Sequence, residues 1–227
     1  MRLLRLLLAL PLFAAGAIFS DPSLHVPRQP YYRDPRIHNL GDTAFHAGIA
    51  RPVTRLVDRF AYGGEDVRRS LLSCVYRHHN LSVIDMCCGT GASTGATGVG
   101  IDTSEHMIRE ARWRRGRHGT FIVANAESYG EADSFDVATL VFCLHEMPRG
   151  ARNRVIQNAN RVARKRVFIL DIGTLYAPSR AMLAGEPYLE EYQSQILQDV
   201  APFQPVIHNV VDGRLLLVEM TPPAQRA

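Results

Sequence analysis

The chain has 227 residues, of which 46% are hydrophobic and 21% are charged, which is enough for one sizeable core and predicts one domain. The formal net charge of +4 comes almost wholly from arginine, without lysine-rich runs, so we expect no nucleic-acid partner. The spacing of the four cysteines matches neither a disulfide framework nor a zinc site, and we expect no metal. Buried free thiols of this kind are typical of a reducing compartment.

The first 20 residues differ from the rest. Arg2 and Arg5 precede an unbroken apolar run from Leu6 to Phe19. The run is short for a spanning helix and matches the core of a signal peptide, with the small residues 15–17 as a cleavage site. An uncleaved anchor or an organelle presequence is the alternative. Residues 1–20 are therefore predicted to be a signal or anchor segment, and we expect membrane-associated or organellar localisation.

Residues 21–40 contain four prolines and are predicted to form an extended linker before a domain at 41–227. Helical periodicity from Gly41 to His79, interrupted at Gly63 and Gly64, predicts two helices. Apolar strands then alternate with helical stretches. The predicted strands are LSVIDM, VGID, TFIVA, FDVATLVFCL and RVFILDI, and a mostly helical stretch follows up to Val200.

Two more apolar runs, PVIHNVV and RLLLVEM, flank Asp212 and Gly213, a dipeptide typical of a hairpin turn. The whole pattern predicts an α/β fold. We expect a Rossmann-like, doubly wound, mostly parallel sheet of seven strands that closes with an antiparallel hairpin. In such sheets ligands bind at the carboxyl ends of the strands, so the residues that end each strand are the candidate site.

The strand ends carry the groups that a nucleoside needs. Gly89 and Gly91 remove side chains that would keep a ligand off the backbone. Asp102, at the end of the second strand, can accept hydrogen bonds from a ribose diol. Asn125, after the third, offers an amide for an adenine edge. A carboxylate at Asp85 beside the glycine turn would repel a diphosphate and attract a cation, which favours S-adenosylmethionine over a nicotinamide dinucleotide.

Four segments in order, VIDMCCGTGAST, VGIDTSEHMIREA, ANAESY and FDVATLVFCLHEMP, resemble the motifs of class I S-adenosylmethionine-dependent methyltransferases. The resemblance covers roughly residues 62–220 and is strongest to the small-molecule branch that includes quinone C-methyltransferases. It implies S-adenosylmethionine as cofactor and a small-molecule acceptor. The implied cofactor-binding residues are Asp85, Cys87, Gly89, Thr90, Gly91, Asp102, Thr103, Met107, Asn125, Ala126, Phe142 and Leu144.

Within that resemblance, Asp85 would order the ligand amino group, partly through the turn, and Phe142 and Leu144 would wall the sulfonium. His145 would face the acceptor, as a base where the acceptor must lose a proton, with Glu146 orienting it or binding a cationic acceptor. Membrane association through the N-terminal segment would fit a lipid-like acceptor.

One departure from the family pattern is the short stretch between Asp85 and Asp102, which allows about one helical turn where the family usually has a full helix. Two alternatives stay open on the residues alone. One is an NAD(P)-linked oxidoreductase on a similar sheet, and the other is a catalytically inactive nucleoside-binding module.

Overall fold

The structure is a computed structural model that describes residues 30–62, 64, 66–75 and 80–223. The predicted signal or anchor segment and the first part of the predicted linker lie outside these residues, so both remain predictions. Among the described residues, none of the helices combines the length and the apolar character needed to cross a membrane.

A seven-stranded sheet forms the centre of the domain, in the spatial order β3-β2-β1-β4-β5-β7-β6. The first five strands pair in parallel, whereas β7 is antiparallel to both β5 and β6. This confirms the predicted fold class. The strands are β1 (Val83–Met86), β2 (Val99–Asp102), β3 (Thr120–Val123), β4 (Phe135–Val141), β5 (Ala163–Ile172), β6 (Val206–Val210) and β7 (Leu215–Met220).

The middle strands are apolar on both faces because helices cover both sides of the sheet. Every residue of β1 is buried, and β4 is buried throughout after Phe135. The main core lies between the sheet and the C-terminal helices, around Ile84, Leu140 and Ile169, all with no exposed surface. This rigid centre holds the carboxyl ends of β1, β4 and β5 next to one another.

In the described part of the chain, six α-helices flank the sheet. They are α1 (Ala44–Ala61), α2 (Val67–Val75), α3 (Glu105–Arg115), α4 (Arg149–Val162), α5 (Arg180–Gly185) and α6 (Leu189–Val200). Ser104 caps α3 by accepting a hydrogen bond from the Met107 N–H at 3.1 Å, and Gly116 ends it at a φ of 57°. The two helices predicted before the sheet correspond to α1 and α2.

A buried ion pair joins α4 to α6. The Arg152 guanidinium donates to Asp199 at 2.8 Å, and neither side chain has exposed surface. The same guanidinium donates to the Met147 carbonyl at 3.1 Å. It therefore ties both helices to the loop that follows β4, where the predicted catalytic residues lie.

Two connections bear on the site. Residues 87–98, between β1 and β2, contain turns and bends but no helix, so the abbreviated crossover predicted from the sequence is present. Residues 30–40, predicted as part of an extended linker, instead form two short 3-10 helices, Tyr31–Arg33 and Ile37–Asn39. Ile37 is buried, because this segment packs over the carboxyl edge of the sheet.

The predicted hairpin turn joins β6 and β7. Asp212 and Gly213 have φ values of 54° and 78°, in the left-handed region that Asp and Gly tolerate best in such turns. Arg214 N–H donates to the Val211 carbonyl at 3.0 Å and closes the turn.

Candidate functional site

The turn after β1 is organised by Asp85. This carboxylate is 1% exposed and accepts hydrogen bonds from the hydroxyls of Ser93 at 2.8 Å, Thr94 at 2.6 Å and Thr139 at 2.9 Å. Burial raises its pKa, while these hydroxyls oppose the shift. Asp85 thus holds the abbreviated crossover against β4. It affects the space above the turn by fixing the backbone of the turn.

The two glycines of the turn have different surroundings. Both have positive φ, 51° at Gly89 and 72° at Gly91. A Cβ on Gly91 would lie 2.6 Å from the Phe121 ring, whereas a Cβ on Gly89 would meet nothing within 4 Å. Gly91 is therefore needed for packing, and Gly89 borders open space of the kind that a ligand needs. Cys87, also at positive φ (63°), is half-buried, and Thr90 is buried.

Asp102 fastens that turn to the end of β2. Its Oδ2 accepts the Gly89 N–H and its Oδ1 accepts the Ser104 N–H, both at 2.9 Å. Burial raises the pKa of Asp102 to about 6, against the lowering effect of these two donors. Each oxygen keeps a lone pair, so the carboxylate can still accept the hydroxyls of a ribose.

A cavity of about 730 Å³ opens beside Asp102. It is bounded on one side by Thr103 and Asn125, two of the predicted cofactor-binding residues, and on the other by residues of the 30–43 segment. The Asn125 Oδ1 accepts the Glu127 N–H at 2.9 Å, which orients the side-chain amide. The lining residues are Tyr32, Arg33, Pro35, Leu40, Gly41, Asp42, Thr43, Thr103, Glu105, His106, Val123, Ala124 and Asn125.

The other ten predicted cofactor-binding residues, including those of the glycine turn and Asp102, lie outside this lining. Met107 is half-buried on α3, and Ala126 is 4% exposed in the main core. Phe142 stacks on Tyr62, with ring centroids 5.8 Å apart, and lies under the Arg68 guanidinium. Leu144 has no exposed surface because it packs in the main core, and its contact with the sulfonium stays a prediction.

His145 lies in a 3-10 helix, Leu144–Glu146, directly after β4. It is 5% exposed, and its Nδ1 is 2.5 Å from the Asp171 carboxylate at the end of β5. Asp171 also accepts the Leu144 N–H at 2.8 Å. Burial lowers the pKa of His145, but Asp171, Glu186 and Glu146 together raise it to about 9. The three carboxylates therefore favour the imidazolium form of His145.

Glu146 takes part in a cluster with two residues that are distant in sequence. The ring of His38 lies between two carboxylates, with Nε2 2.9 Å from Glu146 and Nδ1 2.6 Å from Glu186. Burial opposes the charged form, yet the two glutamates raise the pKa of His38 well above its usual value. The His145 Nε2 lies 3.9 Å from a carboxylate oxygen of each glutamate.

Sequence reasoning missed three members of this arrangement. Asp171 could have been found, because it lies near the end of β5, where the strand-end rule applies to it as it does to Asp102. His38 and Glu186 carry no comparable signal. His38 lies in the proline-rich segment and Glu186 directly follows α5. Only the folded chain brings them within reach of Glu146.

Comparisons with known proteins agree with this geometry. Residues 83–166 match the sequence model of a family described as a methyltransferase domain. Magnesium protoporphyrin IX methyltransferase from Synechocystis PCC 6803, with bound SAH, superposes with a TM-score of 0.52 at 18% identity, covering 69% of this chain and 82% of that one. The N-methyltransferase NodS from Bradyrhizobium japonicum WM9, in complex with SAH, gives 0.54 at 14% identity, covering 74% and 90%. No curated protein matches the sequence.

The structural likenesses, at these identities, establish the class of fold, which is that of the class I methyltransferases. The sequence match covers β1 to β4 and the start of β5, which carry the turn, Asp102 and His145. Both findings agree with the predicted S-adenosylmethionine-dependent methyltransferase and with S-adenosylmethionine as its cofactor. The open space beside Gly89 and the two free lone pairs of Asp102 fit that cofactor.

Proposed function

We propose that this enzyme transfers the methyl group of S-adenosylmethionine to a small-molecule acceptor that enters beside His145. The observation that carries the proposal is that the chain itself encloses His145. His145 is 5% exposed, and two of the chain's own segments, 37–39 and 180–186, meet above it. Gly185 packs so closely on Asn39 that a Cβ there would lie 2.6 Å from the Asn39 amide. A folded protein or a nucleic-acid duplex would not reach a group covered in this way.

The cofactor roles follow from the strand ends. Asp102 accepts the ribose hydroxyls, and Asn125 and Thr103 contact the adenine in the cavity between them. The methionine part passes over Gly89, where no side chain intervenes. Asp85 acts at one remove, by shaping the turn through its three hydroxyl partners. Cys87 and Phe142 border the same turn and the exit of β4.

The chemical demand on the acceptor side is modest, because the sulfonium is already activated and alignment supplies most of the rate. His145 and Glu146 are the groups that an acceptor meets first beyond β4. The short bond to Asp171 fixes the His145 ring with Nε2 toward the acceptor side. His145 thus positions the acceptor, its neutral form would accept the proton that the acceptor loses on methylation, and Glu146 balances the charge.

The test is a labelling experiment with the full chain and S-adenosylmethionine carrying a tritiated methyl group. Cell extract is the source of acceptors, and products are separated into protein, nucleic acid and small molecules. We expect label among the small molecules, and its loss with Asp102→Ala. Label in protein or nucleic acid would overturn the proposal. Binding of S-adenosylhomocysteine without any transfer would instead favour the inactive-module alternative. The nicotinamide alternative has no support from the family match.

We further propose that the enzyme works at a membrane surface and that its acceptor is lipid-like. Helix α1 supports this, because its apolar side faces outward. Phe45 is 64% exposed, Val53 48% and Phe60 53%, and their spacing places them on one face of the helix. Arg51 and Arg55 lie beside that face. An exposed apolar face flanked by cations is typical of a helix that lies in the headgroup region of an anionic membrane.

A groove next to α1 contains the same two arginines, Arg51 and Arg55. It has a volume of about 640 Å³ and is lined by Arg51, Pro52, Arg55, Trp113 and Arg114. The Trp113 ring is 73% exposed, and tryptophan is enriched where one end of a side chain meets lipid and the other meets water. Lipid phosphates would neutralise these arginines. The predicted apolar run at residues 6–19 would hold the same face near the bilayer.

Vesicle sedimentation with the full chain tests this second proposal. We expect tighter binding to phosphatidylcholine vesicles that contain phosphatidylserine than to phosphatidylcholine alone. Phe60→Asp should weaken binding roughly tenfold, since burying one such side chain is worth about 1.5–3 kcal/mol. Leu175→Asp, at a residue 76% exposed elsewhere on the surface, is the control. Equal binding by both variants and the parent would refute a role for α1.

A further inference from the structure

The acceptor side of the site contains a cluster of metal-binding groups. His38, Glu146 and Glu186 each offer one ligand atom, and these atoms all lie within 4.8 Å of one another. They come from three separate parts of the fold: the 3-10 helix at 37–39, the 3-10 helix after β4, and the end of α5. An ion pair with a purely structural role would need only His38 and one of the two glutamates.

A second observation points to a ligand that the protein does not itself supply. The Glu186 side chain is 9% exposed, and its Oε2 has no hydrogen-bond partner among the described residues. This oxygen lies 3.9 Å from the His145 Nε2. A buried carboxylate oxygen without a partner costs free energy, because it has lost its water and gained nothing in exchange.

His145 is also held as metal-binding histidines are held. Its Nδ1 is bonded to the buried Asp171 carboxylate at 2.5 Å, which leaves Nε2 directed at the cluster. A carboxylate behind the far nitrogen is the usual support for an imidazole that binds a metal, because it fixes the ring and raises its basicity. His145 Nε2 lies 3.9 Å from both Glu146 Oε1 and Glu186 Oε2.

We propose that His38, His145, Glu146 and Glu186 form a binding site for one divalent transition-metal ion. Two ligand atoms at about 2.1 Å from a common ion are separated by up to about 4.2 Å. Glu146 Oε1 lies 2.9 Å from the His38 Nε2 and 3.9 Å from the His145 Nε2, and Glu186 Oε2 lies 3.9 Å from the same His145 Nε2, all within that limit. Two imidazoles and two carboxylates favour zinc, manganese or iron over calcium. This differs from the expectation of no metal drawn from the cysteines.

Charge balance is compatible with the ion. The His38 ring donates to both glutamates, so it is a cation where it stands between them. A divalent ion bound at Nε2 of His38 and Nε2 of His145 would displace the proton from each of these nitrogens to solvent, and the two glutamates would supply the negative charge that balances the ion. The site lies beside His145, so an ion here with an open coordination position would also bind an oxygen of the acceptor. That last role rests on the proposed function, whereas the ion site itself does not.

The experiment is a titration of the full chain in detergent with Mn²⁺, followed by electron paramagnetic resonance, and with Zn²⁺, followed by calorimetry. We expect one ion per chain. Glu186→Gln preserves the shape of the side chain but removes its charge, and it should weaken binding at least tenfold. Glu190→Gln, at an exposed acid in the first turn of α6, is the matched control and should leave the affinity unchanged.

Absence of binding, or equal binding by the parent and Glu186→Gln, would overturn the proposal. Calorimetry with S-adenosylhomocysteine in the presence of a chelator separates this result from the proposed function. Because the cofactor groups, Asp102 and Asn125, are distinct from the metal ligands, cofactor binding should persist when the ion is removed. Loss of cofactor binding in the parent under both conditions would count against the methyl-transfer site instead.

Discussion

Replacing Asp102 with asparagine tests the cofactor site at its most connected residue. In the parent, one oxygen of this carboxylate accepts the Gly89 N–H and the other accepts the Ser104 N–H, each at 2.9 Å. Asparagine has one oxygen in place of two, so it can keep only one of these bonds. Its amide nitrogen is a donor and cannot accept the hydroxyl of a ribose.

Two opposing effects determine the stability of the variant. A buried N–H left without an acceptor costs about 1–3 kcal/mol. Removing the charge recovers part of this, because burial already raises the pKa of Asp102 to about 6, which shows that the ionised form is unfavourable in the ligand-free protein. We therefore expect the ligand-free variant to unfold within a few degrees of the parent.

Cofactor affinity should fall much more than stability. A hydrogen bond to a charged acceptor contributes about 1.5–3 kcal/mol, and asparagine loses one such bond and weakens the other. A loss of about 2 kcal/mol of binding free energy raises the dissociation constant roughly 30-fold. Calorimetry with S-adenosylhomocysteine measures it. Asp212→Asn, at an exposed carboxylate in the hairpin turn, is the control for a general effect of losing a carboxylate.

The pH dependence supplies an independent readout. The ionised carboxylate is the better acceptor, so affinity for S-adenosylhomocysteine should rise between pH 5 and 7 as Asp102 titrates near 6. The contribution of Asp102 to the stability of the ligand-free protein has the opposite pH dependence. Because its carboxyl pKa is raised above 3.8 in the folded state, Asp102 stabilises the fold at low pH, and this stabilisation is lost as the pH rises through about 6. Asp102→Asn should remove both dependences. An unchanged affinity and pH profile in the variant would refute the ribose role of Asp102.

Two further predictions concern the turn and the helices beneath the site. Gly89→Ala should abolish cofactor binding but cost only about 1–2 kcal/mol of stability, because a side chain at positive φ is strained. Gly91→Ala should lower the thermal midpoint markedly, because its Cβ would lie 2.6 Å from the Phe121 ring. Equal thermal midpoints for the two variants would contradict this. Asp199→Asn should cost about 3 kcal/mol in urea unfolding, because the fully buried Arg152 loses its nearest countercharge and is left with Glu191 at 3.7 Å. An unchanged midpoint would show that the pair is neutral to stability.

Much of the fold was predictable because it depends on local patterns. The strands are short apolar runs bounded by turn residues, and the structure confirms their order, the hairpin at Asp212 and the missing crossover helix. The part of the site built from strand ends was predictable for the same reason. Parallel strands bring their carboxyl ends to one edge, so Asp102 and His145 had to lie at the same edge of the sheet.

Leu144 lies after a strand end but differs from its neighbour His145. His145 lies in the site, whereas Leu144 packs in the main core together with Cys143. The strand ends at Val141 and a 3-10 helix begins at Leu144, so the alternation of the strand no longer governs which side chains face the ligand.

The sequence by itself determined the order of the elements, the glycine turn and the acids that end the strands, because each depends on residues a few positions apart. Only the tertiary structure decided that His38 and Glu186 meet Glu146, and that the apolar side of α1 faces outward. Contacts between positions so far apart in the chain depend on how whole segments pack over the sheet, and no short pattern records that packing.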